Sequence, residues 1–369
     1  MKKYLLLLLL VANLTAEYVV LMPLSSVLFY GTLILSVPVV LGSKIFTIET
    51  YRSCPHIYWL ALIYVIYFFT LGFQYIGKDS FFYLLGKCAT YCIMLLSLQS
   101  NYEFYFKTMV RPMSYVMLGL LLLGIVVHPF DYGGNLSFGY ANRNAASAIS
   151  TIAFFGFLFS SEKLKGWNLV CLSTCLIIVL LGGSRNSLAM CIIGLMVRLG
   201  LSVKLVLVIA GLFFALGVVF PNMGFNFLAF DRLLGTFSGE VSMDRELQRE
   251  AARWMIDQRP ITGWGFEAQM TGYAKELSEY GSHNGYLDHI IFMGKYFGIT
   301  WIVVMLLGFI KRLKLYFQHD NYINYHIAVM VSVLFAAGQE AYLVGVNQLI
   351  TNLFFVSFVL LGLYSRKEY

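Results

Sequence analysis

Three basic side chains sit where their surroundings suit chemistry: Arg185, Arg245 and His283. Arg185 lies in Gly182-Gly-Ser184-Arg185-Asn186-Ser187, a tight turn between two short apolar runs. An arginine there is costly unless an anion partners it. Arg245 opens Asp244-Arg-Glu-Leu-Gln-Arg-Glu-Ala-Ala-Arg253, so Arg245, Arg249 and Arg253 recur at i,i+4 and share one helix face. The segment Gly139-Tyr-Ala-Asn142-Arg143-Asn144 adds Arg143 and Asn144 at the entry to another apolar run. Guanidinium forks match phosphate oxygens, and several together match a diphosphate. His283, with Asn284 after it, closes the polar stretch that begins near Pro221. A neutral imidazole near pH 7 accepts a proton from an attacking hydroxyl. Asp244 and Glu240 are alternative bases. The competing readings are structural. Arg249 and Arg253 suit a solvated helix face, Arg185 suits a helix end reaching lipid headgroups, and a lone histidine is more often structural.

The elements that position these residues are membrane elements. Hydrophobic residues make up 59% of the 369 residues and charged ones 12%, and the mean hydropathy is +0.74. Runs of about 20 apolar residues recur along the chain, the length of a membrane helix. The sequence lacks the alternation of a transmembrane β-barrel. These features predict an all-α, polytopic helical bundle forming a single membrane domain over 1–369. About twelve spans are expected, near 4–21, 24–42, 56–73, 80–98, 108–127, 142–160, 167–182, 187–200, 204–220, 285–310, 325–343 and 346–364. Residues 221–284 then form one long loop. Within it Asp231–Glu240 reads as a turn-rich approach. Asp244–Gln258 reads as an amphipathic helix, capped by Ser242 or Asp244, with Leu247, Ala251, Trp254 and Met255 as its apolar stripe and Pro260 as its stop. Glu246 and Glu250 are placed to pair with Arg249 and Arg253.

The net charge of +7 does not point to nucleic acid, because the basic residues fall in short loops between spans. Lys44, Arg52, Lys107, Lys163, Lys165, Arg198, Lys204, Lys311, Arg312 and Lys314 fall in the even-numbered connections, and Lys2, Lys3, Arg366 and Lys367 at the two ends. The opposite loops carry chiefly Lys78, Arg143 and Arg185. The positive-inside rule therefore puts both termini in the cytoplasm and the long loop outside. Lys2 and Lys3 before Leu5–Ala12 read as an uncleaved first span rather than a signal peptide, since apolar character resumes at Tyr18. Cys88/Cys92 and Cys171/Cys175 have i,i+4 spacing but no His or carboxylate beside them, so they read as packing thiols rather than a metal site. Lys87, Lys295 and Glu340 are the charges expected inside spans, Glu340 at an outer end. No signature of zinc hydrolysis, nucleotide hydrolysis or serine esterase chemistry is present.

From about Gly139 to Gly298 the chain resembles the O-antigen ligase and polymerase superfamily, the WaaL-type ligases and Wzy-type polymerases of bacterial surface polysaccharides. The resemblance rests on Asn142-Arg-Asn144 opening a middle span and on Ser184-Arg185-Asn186, where Asn replaces the family's usual Gly. It continues through Arg245, Pro260-Ile-Thr-Gly263-Trp-Gly265, Ser282-His283-Asn284-Gly-Tyr-Leu287 and Gly294–Gly298. It implies a GT-C-like fold in the bacterial inner membrane. The implied activity is a glycosyltransferase needing no metal or cofactor, acting outside the cytoplasm on a glycan carried by undecaprenyl diphosphate. The catalytic residues implied are Arg185 and Arg245 on the diphosphate and His283 as base or as a group positioning the acceptor, with Arg143, Asn144, Arg249 and Asn284 binding substrate. The acceptor is another carrier-linked glycan for a polymerase or lipid A-core for a ligase, and polymerase is preferred. Membrane lipids, a chain-length regulator and a flippase are the remaining partners; nucleic acid is not one. The rival class is a lipid-linked oligosaccharide flippase, which would carry charges inside its spans.

Overall fold

The computed structural model describes residues 2–43, 45, 47–75, 78–131, 134–161, 164–237, 243–266, 268–278 and 281–367. Lys44, Lys163, Ser238, Gly239, Glu240 and Ser242 lie outside the described residues, as do the side chains of Lys78, Asp244, Arg366 and Lys367. The chain runs α1 (Lys2–Thr15), α2 (Met22–Leu41), α3 (Ile48–Ser53), α4 (Pro55–Thr70), α5 (Lys78–Ser100), α6 (Val110–Val127), α7 (Arg143–Phe159), α8 (Trp167–Leu181) and α9 (Arg185–Leu199). It continues α10 (Val203–Phe214), α11 (Phe220–Asn222), α12 (Leu228–Phe237), α13 (Met243–Gln258), α14 (Tyr273–Leu277), α15 (Gly285–Leu313), α16 (Asn321–Ala337) and α17 (Leu349–Lys367). Among the described residues there is no strand, only isolated bridges from Tyr18 to Tyr140 and from Phe130 to Leu136.

Among the described residues five segments are long and apolar enough to cross a membrane: Val19–Leu41, Ser80–Ser100, Val110–Val127, Val203–Asn222 and Gly285–Gln318. Five shorter apolar helices accompany them, among them Arg143–Phe159 and Asn321–Ala337. The chain is thus all-α, with the helices of a membrane protein. Its core follows from residue size. Small residues line α7, and Gly156 and Ser150 let α6 and α8 approach closely; the Ser150 hydroxyl donates to Cys175 O at 2.8 Å. α7, α16 and the apolar length of α17 are buried almost all round. The outer faces are apolar instead: Val27, Ile34 and Leu41 on α2, and Val203, Val206 and Leu207 on α10, are strongly exposed. Such faces suit lipid and would be an aggregation hazard in water.

Three expectations are corrected by this path. The first apolar run stops at Thr15 rather than continuing to 21, and beyond it the backbone pairs instead with another segment: Ala141 N donates to Glu17 O at 2.8 Å and Val19 N to Gly139 O at 2.9 Å. Within α1, Asn13 is buried. Its side chain donates to Asn347 Oδ1 at 2.7 Å and accepts from Asn352 Nδ2 at 2.6 Å. The run expected at 325–343 begins earlier, at Asn321, where Asp320 accepts from the amides of Tyr322 and Ile323. It ends at Ala337, so residues 338–348 leave the helix and Glu340 lies outside it. The approach segment is largely helical: α12 forms because Ala229, Phe230 and Leu233 make a buried stripe against α8 and α9. α13 forms where the amphipathic pattern places it, burying Gln248, Ala251, Ala252 and Met255, with Leu247 and Trp254 half-buried.

The turn after α13 is fastened to a break in α15. The amides of Trp264 and Gly265 donate to Ile291 O and Phe292 O at 2.9 and 3.0 Å, and Lys295 N donates to Pro260 O at 2.7 Å. Gly294 adopts φ 73°, which interrupts α15. A Cβ on Gly263 would lie 2.4 Å from Phe292 O, and one on Gly294 2.2 Å from Ile261 O. Lys295 is exposed rather than inside the bundle and pairs with Asp257 at 3.1 Å. Lys87 is buried, and its ammonium donates to Leu343 O and Gly345 O at 3.3 and 2.9 Å. At the far end of α15, buried Arg312 donates to Phe358 O at 2.5 Å and Gly308 O at 2.6 Å, and lies 3.7 Å from the Phe358 ring centre. Nearby His326 meets Ser357 Oγ at 3.0 Å and Phe106 O at 3.3 Å.

Candidate functional site

The site is assembled around Glu340, in the non-helical connection between α16 and α17. Its carboxylate is 12% exposed. Asn186 Nδ2 donates to Oε1 at 3.2 Å and Asn144 Nδ2 at 3.5 Å. Arg245 Nη2 lies 3.5 Å from the same oxygen, and His283 Nδ1 lies 3.8 Å from Oε2. Four separate elements (α7, α9, α13 and the entry to α15) therefore converge on one acid.

Local sequence explains each approach. Gly182-Gly183 turns the chain at the end of α8, with Gly183 at φ 71°, and Ser184 accepts from Ser187 N as the cap of α9. That places Arg185 and Asn186 in the first turn of α9. Asn142 accepts from Asn144 N at 2.8 Å as the cap of α7. Arg245 comes from the first turn of α13 and also donates to Gln339 O at 2.8 Å, which fixes the backbone beside Glu340. His283 has φ 46°, a conformation uncommon outside glycine and enriched for histidine. Its neighbours hold it there: Asn284 N donates to Ser282 Oγ at 3.0 Å, Ser282 donates to Asp288 at 2.6 Å, and Gly285 N donates to Glu340 O at 3.1 Å. Non-glycine residues held at positive φ often mark functional sites.

Around the acid, cations crowd one another. Arg185 loses its proton more readily than an ordinary arginine because of burial, then because of Arg245, with Arg249 adding and Glu340 opposing. Arg232, in α12, is lowered by burial, then by Arg143 and Arg185, and its guanidinium donates to Gly183 O at 3.4 Å. The cluster of Arg143, Arg185, Arg232, Arg245 and Arg249 is thus electrostatically linked around one carboxylate. An arrangement of that kind favours a bound anion with more than one negative charge.

Of the residues expected from sequence, Arg185, Arg245, His283 and Asn144 meet at Glu340. Arg143 is close by, and its Nη1 donates to Asn135 Oδ1 at 2.6 Å. Arg249 is exposed, within electrostatic reach of Arg185. Asn284 is engaged in structure: its Oδ1 accepts from Tyr286 N and Leu287 N, and its Nδ2 donates to Gly338 O at 3.0 Å. Arg253, Glu246 and Glu250 are exposed, and no ion pair joins Glu246 to Arg249 or Glu250 to Arg253 among the described residues. Sequence reasoning missed Asn186 and Arg232 as site residues and set Glu340 aside as a span-end charge. It also missed Glu17, half-buried between α1 and α2, whose backbone O accepts from Ala141 N at 2.8 Å. Burial raises the proton affinity of Glu17, and so does Glu340. Glu17, Tyr140, Asn142, Asn144, His283 and Glu340 line a cleft of about 160 Å³.

In comparisons with known proteins, no family model matches the chain and no curated protein matches it.

Proposed function

We propose that the chain is a multi-pass glycosyltransferase of the bacterial inner membrane. On this reading it polymerises undecaprenyl-diphosphate-linked oligosaccharide units into a surface polysaccharide. The observation that carries the proposal is the linked arginine cluster gathered around the Glu340–His283 pair. The ten apolar helices found among the described residues, together with α1 and α9, would account for twelve crossings of a GT-C-like bundle with both ends on the cytoplasmic side. In that topology Glu17, Arg143, Arg185, Arg245, His283 and Glu340 all fall in odd-numbered connections, which share the outer face. Their convergence in space supports the assignment of these connections to one common face.

The chemistry follows from the charges. No nucleotide sugar is at hand outside the cytoplasm, so the donor arrives already joined to its lipid diphosphate. The acceptor hydroxyl oxygen attacks the anomeric carbon and the bond from that carbon to the diphosphate breaks. The leaving diphosphate takes the electron pair, and Arg185 and Arg245, flanked by Arg143, Arg232 and Arg249, stabilise the growing charge without a metal. The acceptor proton passes to the ring of His283, and Glu340 beside Nδ1 stabilises the resulting imidazolium. The flippase reading is less favoured: Lys87 is held by two backbone carbonyls, and the arginines that surround Glu340 lie together at one end of the bundle rather than along its interior.

The test is transfer by the purified protein in lipid nanodiscs, given a carrier-linked repeat unit. A ladder of glycan lengths is expected. A single transfer to lipid A-core with no ladder would assign the ligase reaction, and no transfer to either acceptor overturns glycosyl transfer.

A further inference from the structure

Glu340 is shared between two environments of opposite character. Its Oε1 faces Asn144, Asn186 and Arg245, and through Arg245 the whole arginine cluster. The cleft it also lines contains none of the five arginines, and holds instead a second carboxylate, Glu17, with the amides of Asn142 and Asn144. The volume of about 160 Å³ is well below the roughly 300–1,000 Å³ of pockets for drug-sized ligands, and suits one small ring. One wall is Tyr140, whose ring packs edge-on against Tyr18 at 5.1 Å. The polar groups are acceptor-rich, which fits a ligand with several hydroxyl donors.

We propose that this cleft binds a single uncharged sugar ring, the acceptor residue of the transfer reaction, and that Glu17 and Glu340 exclude sugars carrying a carboxylate. The proposal rests on the glycosyl-transfer reading and adds the class of acceptor to it. A hydroxylated ring in the cleft donates to the two carboxylates and presents a hydroxyl to His283, which lines the same space. A uronic or sialic acid would bring a third carboxylate beside a pair that already interact unfavourably: Glu340 raises the proton affinity of Glu17. The sign of the charge also sorts the two substrates. The diphosphate is drawn to the arginines and repelled from the cleft, while the neutral acceptor has no such conflict.

Saturation-transfer NMR on the protein in nanodiscs of uncharged lipid tests the proposal, with methyl glucoside, methyl galactoside, methyl N-acetylglucosaminide and methyl glucuronide as probes. At least one neutral glycoside is expected to show transfer and the glucuronide is not. Ala145 is half-exposed and lines the cleft, so Ala145→Phe should remove the neutral signal and lower carrier-linked transfer more than tenfold. Glu17→Gln should raise the glucuronide signal several-fold, and this arm decides the matter if Ala145→Phe does not fold. Equal glucuronide and neutral signals in the wild type, a neutral signal untouched by folded Ala145→Phe, no signal from any glycoside, or an unchanged glucuronide signal in Glu17→Gln overturns the cleft. Glycan transfer undiminished by folded Ala145→Phe overturns the cleft and leaves the transferase standing. Neutral binding without any glycan transfer overturns the transferase and leaves the cleft as a sugar site.

Discussion

The two ends of α15 both hold buried or half-buried charge, and they treat it in opposite ways. At the C-terminal end Arg312 meets two backbone carbonyls and the face of Phe358, and His326 meets a serine and a carbonyl. Neutral dipoles satisfy each charge or ring locally, as a fold requires of polar groups in its interior. At the N-terminal end, Arg185 and Arg232 hold their protons less tightly because of burial and the neighbouring Arg245, Arg249 and Arg143, and Arg245 pairs with Glu340. A purely structural solution would resemble the Arg312 end. Like charges gathered at the other end are unfavourable by themselves, and a multivalent anion relieves them.

Substitutions separate the two ends. Arg185→Ala, Arg245→Ala and His283→Ala should each reduce carrier-linked transfer by about 10²–10³-fold or more and abolish surface glycan in a deletion strain, with normal amounts of protein in the membrane. Normal glycan profiles in all three would erase the distinction between the ends. Arg312→Met should do the reverse: about 1–3 kcal/mol of stability lost as the Phe358 and Gly308 carbonyls lose their donor, seen as a lower melting temperature, with transfer per folded molecule unchanged. Loss of transfer at full stability would make Arg312 part of the chemistry.

A smaller effect concerns Glu17. Its proton affinity in the fold is raised above the ordinary carboxylate value of 4.5, so protonation favours the folded state. That contribution is present below pH 4.5 and is lost as pH rises through the raised value. Glu17→Gln should therefore match the wild type in melting temperature below pH 4.5 and exceed it increasingly towards neutral pH. A constant difference across pH would show that burial and Glu340 do not act on its charge. Smallest of all, Arg253→Ala should stay within about 0.5 kcal/mol in stability and about twofold in transfer, because Arg253 is exposed and lies two turns from Glu340's partner Arg245. A large loss there would extend the cluster along α13.

How legible these ends were depends on the range of the interaction. α13 is visible in the sequence because its buried face repeats with the helical period and Pro260 stops it. Arg185, His283 and Asn144 stand out as polar residues where apolar runs begin or end, and Arg245 as the first of three arginines at i,i+4 in the polar loop. Glu340 is harder to place: Ala336-Ala337-Gly338-Gln339-Glu340 continues a hydrophobic run with good helix formers, and the break after Ala337 depends on contacts from residues nearly a hundred positions away. The one local hint is the Gly-Gln-Glu triplet, with Gly345-Val-Asn347-Gln348 soon after. Glu17 is hidden by apolar sequence on both sides, and its importance depends on a partner more than three hundred residues distant. Pairing within α13 was expected at i,i+3 from Glu246 to Arg249 and from Glu250 to Arg253, yet neither pair forms among the described residues, and the ion pair that α13 makes at the site, Arg245 with Glu340, crosses the molecule. Exposed helix pairs contribute only about 0.2–0.5 kcal/mol, so a half-buried partner readily outweighs them.

The seam between Pro260–Gly265 and the break at Gly294 acts as a datum for the whole site. α13 is measured from that seam, so each residue inserted between Arg245 and Gln258 would turn Arg245 by about 100° around the helix and away from Glu340. The exposed stretch 221–226 lies upstream of the datum, and an epitope placed there leaves the arginines in register. For anyone labelling, shortening or grafting this loop, its two halves are not equivalent: the first tolerates a change in length, and the second is a ruler.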